Sequence, residues 1–338
     1  MRKVLLFFCL LLIPIKVQAI SASSYIIMDM DSGLVLGGSN IHKQSLIASI
    51  SKIMTCYIAL NYGNLNEVIE VGDEILKAYG SAIYIEIGER LTLNNLLYGL
   101  MLRSGNDASY VIAKYISGSM AEFANLMNAT AETLGMKNTY FYNAHGLEEN
   151  NGKGNISTVY DMAILTKEAM KDKNYRKIVK TKSIVAKTSY KSYTWYNKNR
   201  LLSEYKYTTG GKTGYTKKAK RTLVTTASKD NKNLIIVTFN DSNDFNDHKV
   251  LYDNFFKNYE KVNILDKDDY QVNDTYYSKY TLYIKESYSA LIKKNNISNL
   301  RLEETIEKLD RVRNNEKIGT VSVYLKDKLI HTENIYLS

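Results

Sequence analysis

The sequence predicts an α/β domain, in which helices pack on an antiparallel sheet, followed by a small all-β domain. Three observations predict this order: strand patterns open the domain and return from about Ser183, helical periodicity dominates the middle, and short β-rich runs fill residues 262–338. The chain has 338 residues, which is long enough for two domains of ordinary size.

The first 19 residues have the pattern of a secretory signal peptide. Arg2 and Lys3 precede an apolar run over residues 4–15, and residues 17–19 include the small side chain that a signal peptidase reads. The run is about 12 residues long, shorter than the ~20 that a membrane-spanning helix needs. We expect cleavage after Ala19 and an exported, extracytoplasmic protein at the cell wall or the outer face of the cytoplasmic membrane. An uncleaved anchor is the alternative.

Composition and charge exclude several classes of protein. Hydrophobic residues make up 45% of the chain and charged residues 24%, a balance typical of a soluble globular protein rather than a disordered one. The formal net charge is +10, but the lysines are scattered, so we expect no nucleic-acid partner. Without the signal peptide only Cys56 remains, which excludes an intramolecular disulfide. The four histidines lack metal-ligand spacing, so we expect neither a metal nor another cofactor.

The first domain is predicted to open with a β-hairpin and to continue with helices. Residues 25–36 read as strand, Asp-Ser-Gly turn and strand. Apolar residues at helical spacing over 50–58 predict a helix that begins near Ser49. Residues 93–116 and 120–134 carry further helical patterns. The middle of the chain is therefore predicted to be mainly helical.

The remainder is predicted to return to β-structure. Runs rich in Val, Ile and Thr at 223–227 and 234–239 predict two strands around a turn, and a helix near 248–259 closes the region. The composition then shifts to short β-rich runs separated by charged loops. We expect a catalytic domain over residues 20–260 and a small β-rich domain over residues 261–338.

Ser49 and Lys52 form the first candidate catalytic pair. Three residues on a helix span about 4.5 Å of rise, so the lysine amine can reach the serine hydroxyl. At 100° per residue the pair shares one side of the helix with Cys56, and we expect that side to face away from the buried apolar face. A lysine whose pKa is lowered can act as general base toward the serine. The SxxK pattern alone is better explained by an N-terminal capping serine and a solvated lysine.

Two further motifs change that interpretation. Ser104 and Asn106 flank a glycine on a loop after an apolar helix. Lys212, Thr213 and Gly214 come directly before the strand region, where a glycine permits close backbone approach at a sheet edge. Together and in this order, the three motifs form the SxxK, SxN and KTG set of penicillin-recognising serine enzymes.

On these motifs the chain resembles the serine-type D-Ala-D-Ala carboxypeptidases, which are low-molecular-weight penicillin-binding proteins of the peptidase S11 type. The resemblance covers essentially the whole chain after residue 19. It includes the Gly-Glu pair at 88–89, the Asn-Ala-His-Gly-Leu stretch at 143–147 and the Asn-x-Asn-x-Leu-Leu stretch at 197–202. It implies a two-layer α/β domain of the transpeptidase/β-lactamase type, followed by the small all-β domain.

The resemblance implies catalytic roles for four residues. Ser49 is expected to attack the peptide carbonyl between two D-alanines, and Lys52 to take its proton. Ser104 is expected to relay a proton between Lys52, Lys212 and the leaving amine. The implied reaction removes the terminal D-alanine from peptidoglycan stem pentapeptides through an acyl-enzyme, and β-lactams are the expected covalent inhibitors.

The resemblance also implies a substrate-binding set. Asn106 is expected to hold a backbone amide of the substrate, while Lys212 and Thr213 bind its terminal carboxylate. Gly214 lies in the same motif and belongs to this set. The oxyanion is expected between the backbone N–H groups of the nucleophile and of Tyr215. The implied partner is a stem peptide ending in D-Ala-D-Ala, and peripheral association with the cell surface is expected.

Three alternatives stay open at this point. A β-lactamase shares the three motifs but typically has Glu-x-x-x-Asn in the intervening loop, and the residues four places after Glu148 and Glu149 are Gly152 and Lys153. A DD-endopeptidase would use the same machinery on cross-links. A catalytically inactive wall-binding module would have lost that machinery, whereas competent residues stand at the active-site positions.

Three other residues near the motifs have expected roles. Arg103 stands where the family commonly has proline, and we expect its charge to help lower lysine pKa values or to bind substrate carboxylates. His145 is expected to stabilise its loop through a hydrogen bond, because a Ser-Lys pair needs no histidine. Cys56 is expected to be a small buried side chain rather than a reactive thiol.

Overall fold

The computed structural model describes residues 20–149, 151–272 and 274–338. The predicted signal peptide, residues 1–19, lies outside the described residues. Within the described ranges, no helix combines the length and the apolar character needed to cross a bilayer.

The helices and strands have the following bounds. The α-helices are α1 (Lys52–Tyr62), α2 (Leu93–Tyr98), α3 (Asn106–Ser117), α4 (Met120–Thr133), α5 (Val159–Ala169), α6 (Lys173–Lys180), α7 (Leu201–Glu204) and α8 (Asp244–Asn258). The strands of the first domain are β1 (Ser24–Asp29), β2 (Val35–Ser39), β3 (Ser45–Leu46), β4 (Val68–Glu70), β5 (Arg90–Thr92), β6 (Ile156–Ser157), β7 (Ser183–Lys187), β8 (Ser192–Tyr196), β9 (Thr208–Thr216), β10 (Lys220–Lys229) and β11 (Lys232–Phe239). Those that follow are β12 (Tyr259–Leu265), β13 (Leu282–Ile284), β14 (Tyr288–Lys293), β15 (Leu300–Ile306), β16 (Lys317–Leu325) and β17 (Lys328–Leu337).

The first domain is built on a five-stranded antiparallel sheet with the order β2-β1-β11-β10-β9. Successive residues of a strand point to opposite faces, so each face of the sheet needs its own cover. Ile26 and Met28 point into the large core that α1 to α6 share, while Ile27 points into a second core that includes Phe255 of α8. The α/β class is confirmed, and the sheet lies between α8 on one face and α1 to α6 on the other.

The helical pattern over 93–116 is interrupted in a way that positions the second motif. Helix α2 passes into a π-helical turn, Gly99–Arg103, and the chain then bends at Ser104 before α3 begins. Ser104 has a φ of 63°, in the left-handed region that residues other than glycine seldom adopt. Backbone strain of this kind clusters at functional sites. The bend places Ser104 at a corner between two buried helices.

The second domain is all-β, as predicted. Strands β12 and β14 pair, and β13, β17, β16 and β15 form a four-stranded antiparallel sheet in that order. Its core is separate from the two cores of the first domain. The β1–β2 hairpin joins the domains: the Asp29 carboxylate accepts a hydrogen bond from the Leu291 N–H at 3.0 Å, and Asp31 pairs with Lys261 at 2.7 Å.

Candidate active site

The first motif lies on a short turn at the start of α1. Residues Ala48–Ser51 form a 3₁₀ turn, and α1 continues from Lys52. The Ser51 hydroxyl donates to the Ala48 carbonyl at 2.7 Å, and the Thr222 hydroxyl donates to the Ile47 carbonyl at 3.0 Å. These bonds fix the backbone on both sides of Ser49, which is partly exposed.

Lys52 points into the protein and not toward solvent. Its side chain is fully buried, and its amine donates to Asn106 Oδ1 at 2.7 Å and to the His145 carbonyl at 2.6 Å, with Ser49 Oγ at 3.2 Å. Cys56 is also fully buried, as expected, and burial raises the pKa of its thiol. The expectation that this side of α1 faces away from the core is wrong, because neighbouring helices and the 143–147 loop surround the helix.

The environment of Lys52 favours a neutral amine. Burial lowers its pKa well below the usual value, and the positive charges of Lys212 and Lys198 lower it further. Among the described residues, no carboxylate lies within ion-pair distance of the Lys52 amine. A neutral amine 3.2 Å from a serine hydroxyl can accept its proton.

The second motif connects the two lysines. Ser104 is buried, and its hydroxyl accepts a hydrogen bond from the Lys212 amine at 3.0 Å. The Asn106 amide accepts from Lys52 and donates to the Tyr79 carbonyl at 2.5 Å. The oxygen and one N–H of the Asn106 amide therefore bond protein groups, and the oxygen positions Lys52. The substrate contact expected for Asn106 stays a prediction, since the amide has a second N–H.

The third motif lies on the edge strand β9, beside the nucleophile turn. A Cβ atom at Gly214 would lie 3.0 Å from the Ser49 nitrogen and 2.4 Å from Thr222 Oγ1, so only glycine lets the strand approach this closely. Lys212 is buried and also donates to the Thr213 carbonyl at 2.7 Å. Burial, with a contribution from the charge of Lys198, lowers the pKa of Lys212 to about 7. Tyr215 is exposed.

Lys198 is a residue of the site that the sequence reasoning missed. Its amine donates to Ser81 Oγ at 2.9 Å at the edge of the cleft, and its charge lowers the pKa of both motif lysines. Arg103 in turn contributes to the lowered pKa of Lys198, after burial. The charge of Arg103 therefore acts on Lys198, and Arg103 is not among the groups that shift the pKa of Lys52 or Lys212. The feature of the sequence that could have indicated this role is the position of Lys198 between the two asparagines of the Asn-x-Asn-x-Leu-Leu stretch at 197–202.

Asp107 was also missed, and it holds one wall of the site. Its buried carboxylate accepts backbone hydrogen bonds from Ile83 at 3.0 Å and from Tyr84 at 2.8 Å. The Asn106 N–H adds a bond to the Ser81 carbonyl at 2.7 Å. These contacts fix the loop that carries Ser81 against the start of α3.

The loop over residues 143–147 supports the nucleophile from the other side. The Thr55 hydroxyl donates to the Ala144 carbonyl at 2.7 Å, and the His145 carbonyl accepts from Lys52. The His145 ring nitrogen Nδ1 accepts from the Leu147 N–H at 3.1 Å, which is the loop-stabilising role expected for it. Burial lowers the pKa of His145 to about 3, so the ring is neutral at physiological pH.

The motifs meet at a cleft of about 370 Å³. Its lining includes Ser49, Ser104 and the Thr213-Gly214-Tyr215 segment, with Lys198 and Arg221 on the walls. Arg221 pairs with Asp244 at 2.8 Å. A larger cavity of about 570 Å³ lies elsewhere and contains none of the motif residues. A serine beside a neutral amine, facing a cation-lined cleft, can perform acyl transfer on an anionic substrate.

Comparisons with known proteins agree with this geometry. The sequence profile of the D-alanyl-D-alanine carboxypeptidase family, peptidase S11, matches residues 14–243. The profile of the penicillin-binding protein 5 C-terminal domain matches residues 259–338. The first match alone covers more than half of the chain.

Individual relatives support both matches. D-alanyl-D-alanine carboxypeptidase DacF of Bacillus subtilis is 38% identical over 224 residues, which are 64% of this chain and 57% of DacF. DacC of Escherichia coli is 29% identical over 340 aligned positions, covering 94% of this chain and 83% of DacC. The structure of penicillin-binding protein 5 from Haemophilus influenzae superposes with a TM-score of 0.81 at 26% identity, over 94% of this chain and 97% of that one.

Proposed function

The chain belongs to the D-alanyl-D-alanine carboxypeptidase family, peptidase S11, and we propose that it removes the terminal D-alanine from peptidoglycan stem pentapeptides through an acyl-enzyme on Ser49. The observation that carries the proposal is the buried Lys52 amine 3.2 Å from the Ser49 hydroxyl. Burial and the charges of Lys212 and Lys198 lower the pKa of this amine, which favours the neutral form that can accept a proton.

Acylation follows from the contacts of the three motifs. Ser49 Oγ attacks the carbonyl carbon between the two D-alanines, and its proton passes to Lys52. The oxyanion binds between the backbone N–H groups of Ser49 and Tyr215, donors of a kind worth about 3 kcal/mol each. When the intermediate collapses, the C–N bond breaks and the proton that Lys52 took from Ser49 passes through Ser104 to the leaving D-alanine amine. The 3.0 Å contact between Ser104 and Lys212 supports this relay.

Deacylation uses the same groups with water as the nucleophile. Lys52 takes a proton from the water, whose oxygen attacks the ester carbonyl. Collapse returns the oxygen to Ser49 with a proton from Lys52 and releases the shortened stem peptide. Each proton accepted by Lys52 is thus given back within one cycle.

Substrate binding follows from the charge of the cleft. Lys212 and Thr213 bind the terminal carboxylate of the substrate. Lys198 and Arg221 lie on the same cleft and add positive charge, which favours an anionic ligand. β-Lactams carry a comparable carboxylate beside a reactive amide, so we propose that they acylate Ser49 and deacylate slowly.

The contacts of the two loop carboxylates argue against a β-lactamase. The Glu148 carboxylate accepts a hydrogen bond from the Thr216 hydroxyl at 2.5 Å, and the Glu149 carboxylate accepts one from Asn143 at 2.6 Å. Neither carboxylate lines the cleft that holds Ser49, where a deacylating water would have to be activated.

The cellular setting is part of the proposal. We propose that residues 1–19 direct export, that the catalytic and β-rich domains span residues 20–260 and 261–338, and that the enzyme acts outside the cytoplasm. Peripheral association with the cell surface would keep it near its peptidoglycan substrate. The family consists of extracytoplasmic cell-wall enzymes.

The experiment measures D-alanine release from a synthetic acyl-L-Lys-D-Ala-D-Ala tripeptide. Wild type should release D-alanine, and Ser49→Ala should not. Ser298→Ala is the matched control, because Ser298 is exposed and lies in the second domain, outside the cleft. An active Ser49→Ala variant would overturn the assignment of the nucleophile.

A further inference from the structure

Two buried carboxylates lie beside the first described residues of the chain. Asp241 is fully buried and Asp247 is 1% exposed, and the two are called the acid pair below. The Ser21 hydroxyl oxygen lies 2.5 Å from Asp241 Oδ1 and 2.9 Å from Asp247 Oδ2. One hydroxyl thus bridges the two carboxylates, which places them side by side.

The groups that bond the acid pair are neutral. The Ser21 N–H donates to Asp247 at 2.7 Å, the Asn243 N–H donates to Asp241 at 3.1 Å, and the Asn243 amide donates to Asp247 at 3.1 Å. In the ranges that the structure covers, no lysine, arginine or histidine makes an ion pair with either carboxylate. Arg221, which lies close by, pairs with Asp244. Two buried carboxylates without a cation are costly to keep ionised.

One oxygen of the pair also lacks a donor. Asp241 Oδ2 is buried and accepts no hydrogen bond from the described residues. Burial raises the pKa of Asp241, and the neighbouring Asp247 carboxylate adds to the effect. Buried polar atoms are nearly always satisfied, so this oxygen indicates a donor that is still to be supplied.

The start of the described chain is held next to the acid pair. The Ile20 side chain packs against the core cluster that includes Phe245 and Leu251 of α8. Consecutive residues are about 3.8 Å apart, so the Ile20 nitrogen lies within roughly 7 Å of Asp247 Oδ2. The predicted cleavage after Ala19 would turn that nitrogen into a primary amine.

We propose that the acid pair is a binding site for the α-ammonium group of Ile20, which removal of the signal peptide creates. Hydrolysis of the Ala19–Ile20 amide by one water leaves a carboxylate on Ala19 and an amine on Ile20, which takes up a proton from solvent. The ammonium supplies both the missing cation and a donor for Asp241 Oδ2. An unprocessed chain has a neutral amide at this position and lacks that cation.

The site adjoins the wall of the catalytic cleft. The Asp241 N–H donates to the Arg221 carbonyl at 3.1 Å, and the Arg221 guanidinium lines the cleft. Processing therefore stabilises the segment that carries Asp241 and, through it, the start of β10. The inference depends on the proposed cleavage and not on the proposed reaction.

The test measures how fast the α-amine of the exported, processed protein is labelled. Intact mass first establishes that the chain begins at Ile20, and an acylating reagent at pH 8 is then followed by mass spectrometry of the N-terminal peptide. An ordinary α-amine has a pKa of about 7.7–8.0, and an ion pair raises it by a unit or more. We expect labelling about tenfold slower in the native protein than in the urea-unfolded chain.

Two substitutions separate charge from burial. Asp241→Asn keeps the shape of the site and should raise the labelling rate of the α-amine in the folded protein by about tenfold. Asp247→Asn should also raise that rate. Asp230→Asn is the matched control, because Asp230 lies exposed in the turn between β10 and β11 and should leave the rate unchanged. The wild-type comparison between native and unfolded protein needs no variant and remains decisive if a variant fails to fold.

Three results would overturn the proposal. One is an N-terminus at a position other than Ile20. Another is equal labelling of native and unfolded wild type, or of native wild type and Asp241→Asn. The third is a rise in the thermal midpoint on adding Na⁺, Mg²⁺ or Ca²⁺ while the amine labels freely, which would make the acid pair an inorganic cation site. Penicillin labelling of Ser49, measured on the same samples, reports separately on the proposed function.

Discussion

Gly146→Ala gives the most specific structural prediction, because Gly146 lies against the backbone that holds the nucleophile. A Cβ atom at this position would lie 2.0 Å from the Ala48 carbonyl oxygen and 2.5 Å from its carbon. Such contacts are not found below 3.0 Å, so the 143–147 loop and the nucleophile turn must separate by at least about 1 Å. Gly146 also has a φ of 88°, where alanine costs about 1 kcal/mol or more.

The expected result is a large catalytic loss with a moderate loss of stability. Misplacement of a reacting group by about 1 Å costs about 10²-fold in rate. We expect the acylation rate with a fluorescent penicillin to fall by about that factor, with an unfolding free energy lower by about 2–4 kcal/mol. Gly118→Ala is the matched control: Gly118 has a φ of 78° but no atom within 4 Å of the Cβ position. Gly118→Ala should lose about 1 kcal/mol of unfolding free energy and keep the wild-type acylation rate. Equal acylation rates in Gly146→Ala and Gly118→Ala would refute the idea that the close contact at Gly146 holds Ser49 in place.

Three further predictions concern titratable groups. Lys52→Met should lower the acylation rate by 10²–10⁴-fold, because the group that takes the Ser49 proton is lost; an unchanged rate would contradict this. The same change leaves the Asn106 oxygen and the His145 carbonyl without their donor, so the free energy of unfolding should fall by about 1–3 kcal/mol in urea titrations. Lys212 has a pKa of about 7 and loses its charge above that pH, so kcat/KM for a carboxylate-terminated peptide should decline above pH 7. A bound carboxylate raises the pKa of Lys212, so kcat should decline only at higher pH. A kcat/KM that stays constant up to pH 9 would contradict this role of Lys212. Burial lowers the pKa values of His145 and His248 to about 3, so between pH 3 and 6.5 the unfolded chain binds more protons than the folded one. The free energy of unfolding should therefore fall as the pH falls, by about 1.4 kcal/mol per pH unit for each histidine. Urea midpoints plotted against pH should have the same slope for wild type and for the control His42→Gln, since His42 is exposed.

Local patterns were enough to predict most of the fold. The hairpin at 25–36 corresponds to β1, a turn and β2, and the helix near Ser49 begins as a 3₁₀ turn and continues as α1. The strands at 223–227 and 234–239 lie within β10 and β11, and all of these segments have strong periodicity or turn signals. The break at Ser104 was predicted only as a loop, because a π-helical turn and a left-handed serine depend on packing between α2 and α3. Sequence periodicity does not reveal such a bend.

The candidate site was predicted from motifs, and its electrostatics were not. The helical periodicity of α1 placed Lys52 about a third of a turn away from the apolar face, which suggested that its side chain is exposed. Neighbouring elements surround the helix, however, and bury Lys52 fully. Lys198 and Asp107 act through contacts across distant segments, with Ser81 and Ile83 respectively, and no local spacing indicates such partners. Tertiary contacts set the lysine pKa values, so they could be found only in the structure.

The most direct test of the account follows the intact mass of the exported protein over time after addition of a penicillin. The account predicts a single adduct, mapped by peptide analysis to Ser49, that persists for many minutes and is absent from Ser49→Ala. Rapid consumption of the antibiotic without a lasting adduct would contradict it in favour of a β-lactamase. If no adduct forms and the antibiotic is not consumed, the result would contradict the account in favour of an inactive wall-binding protein.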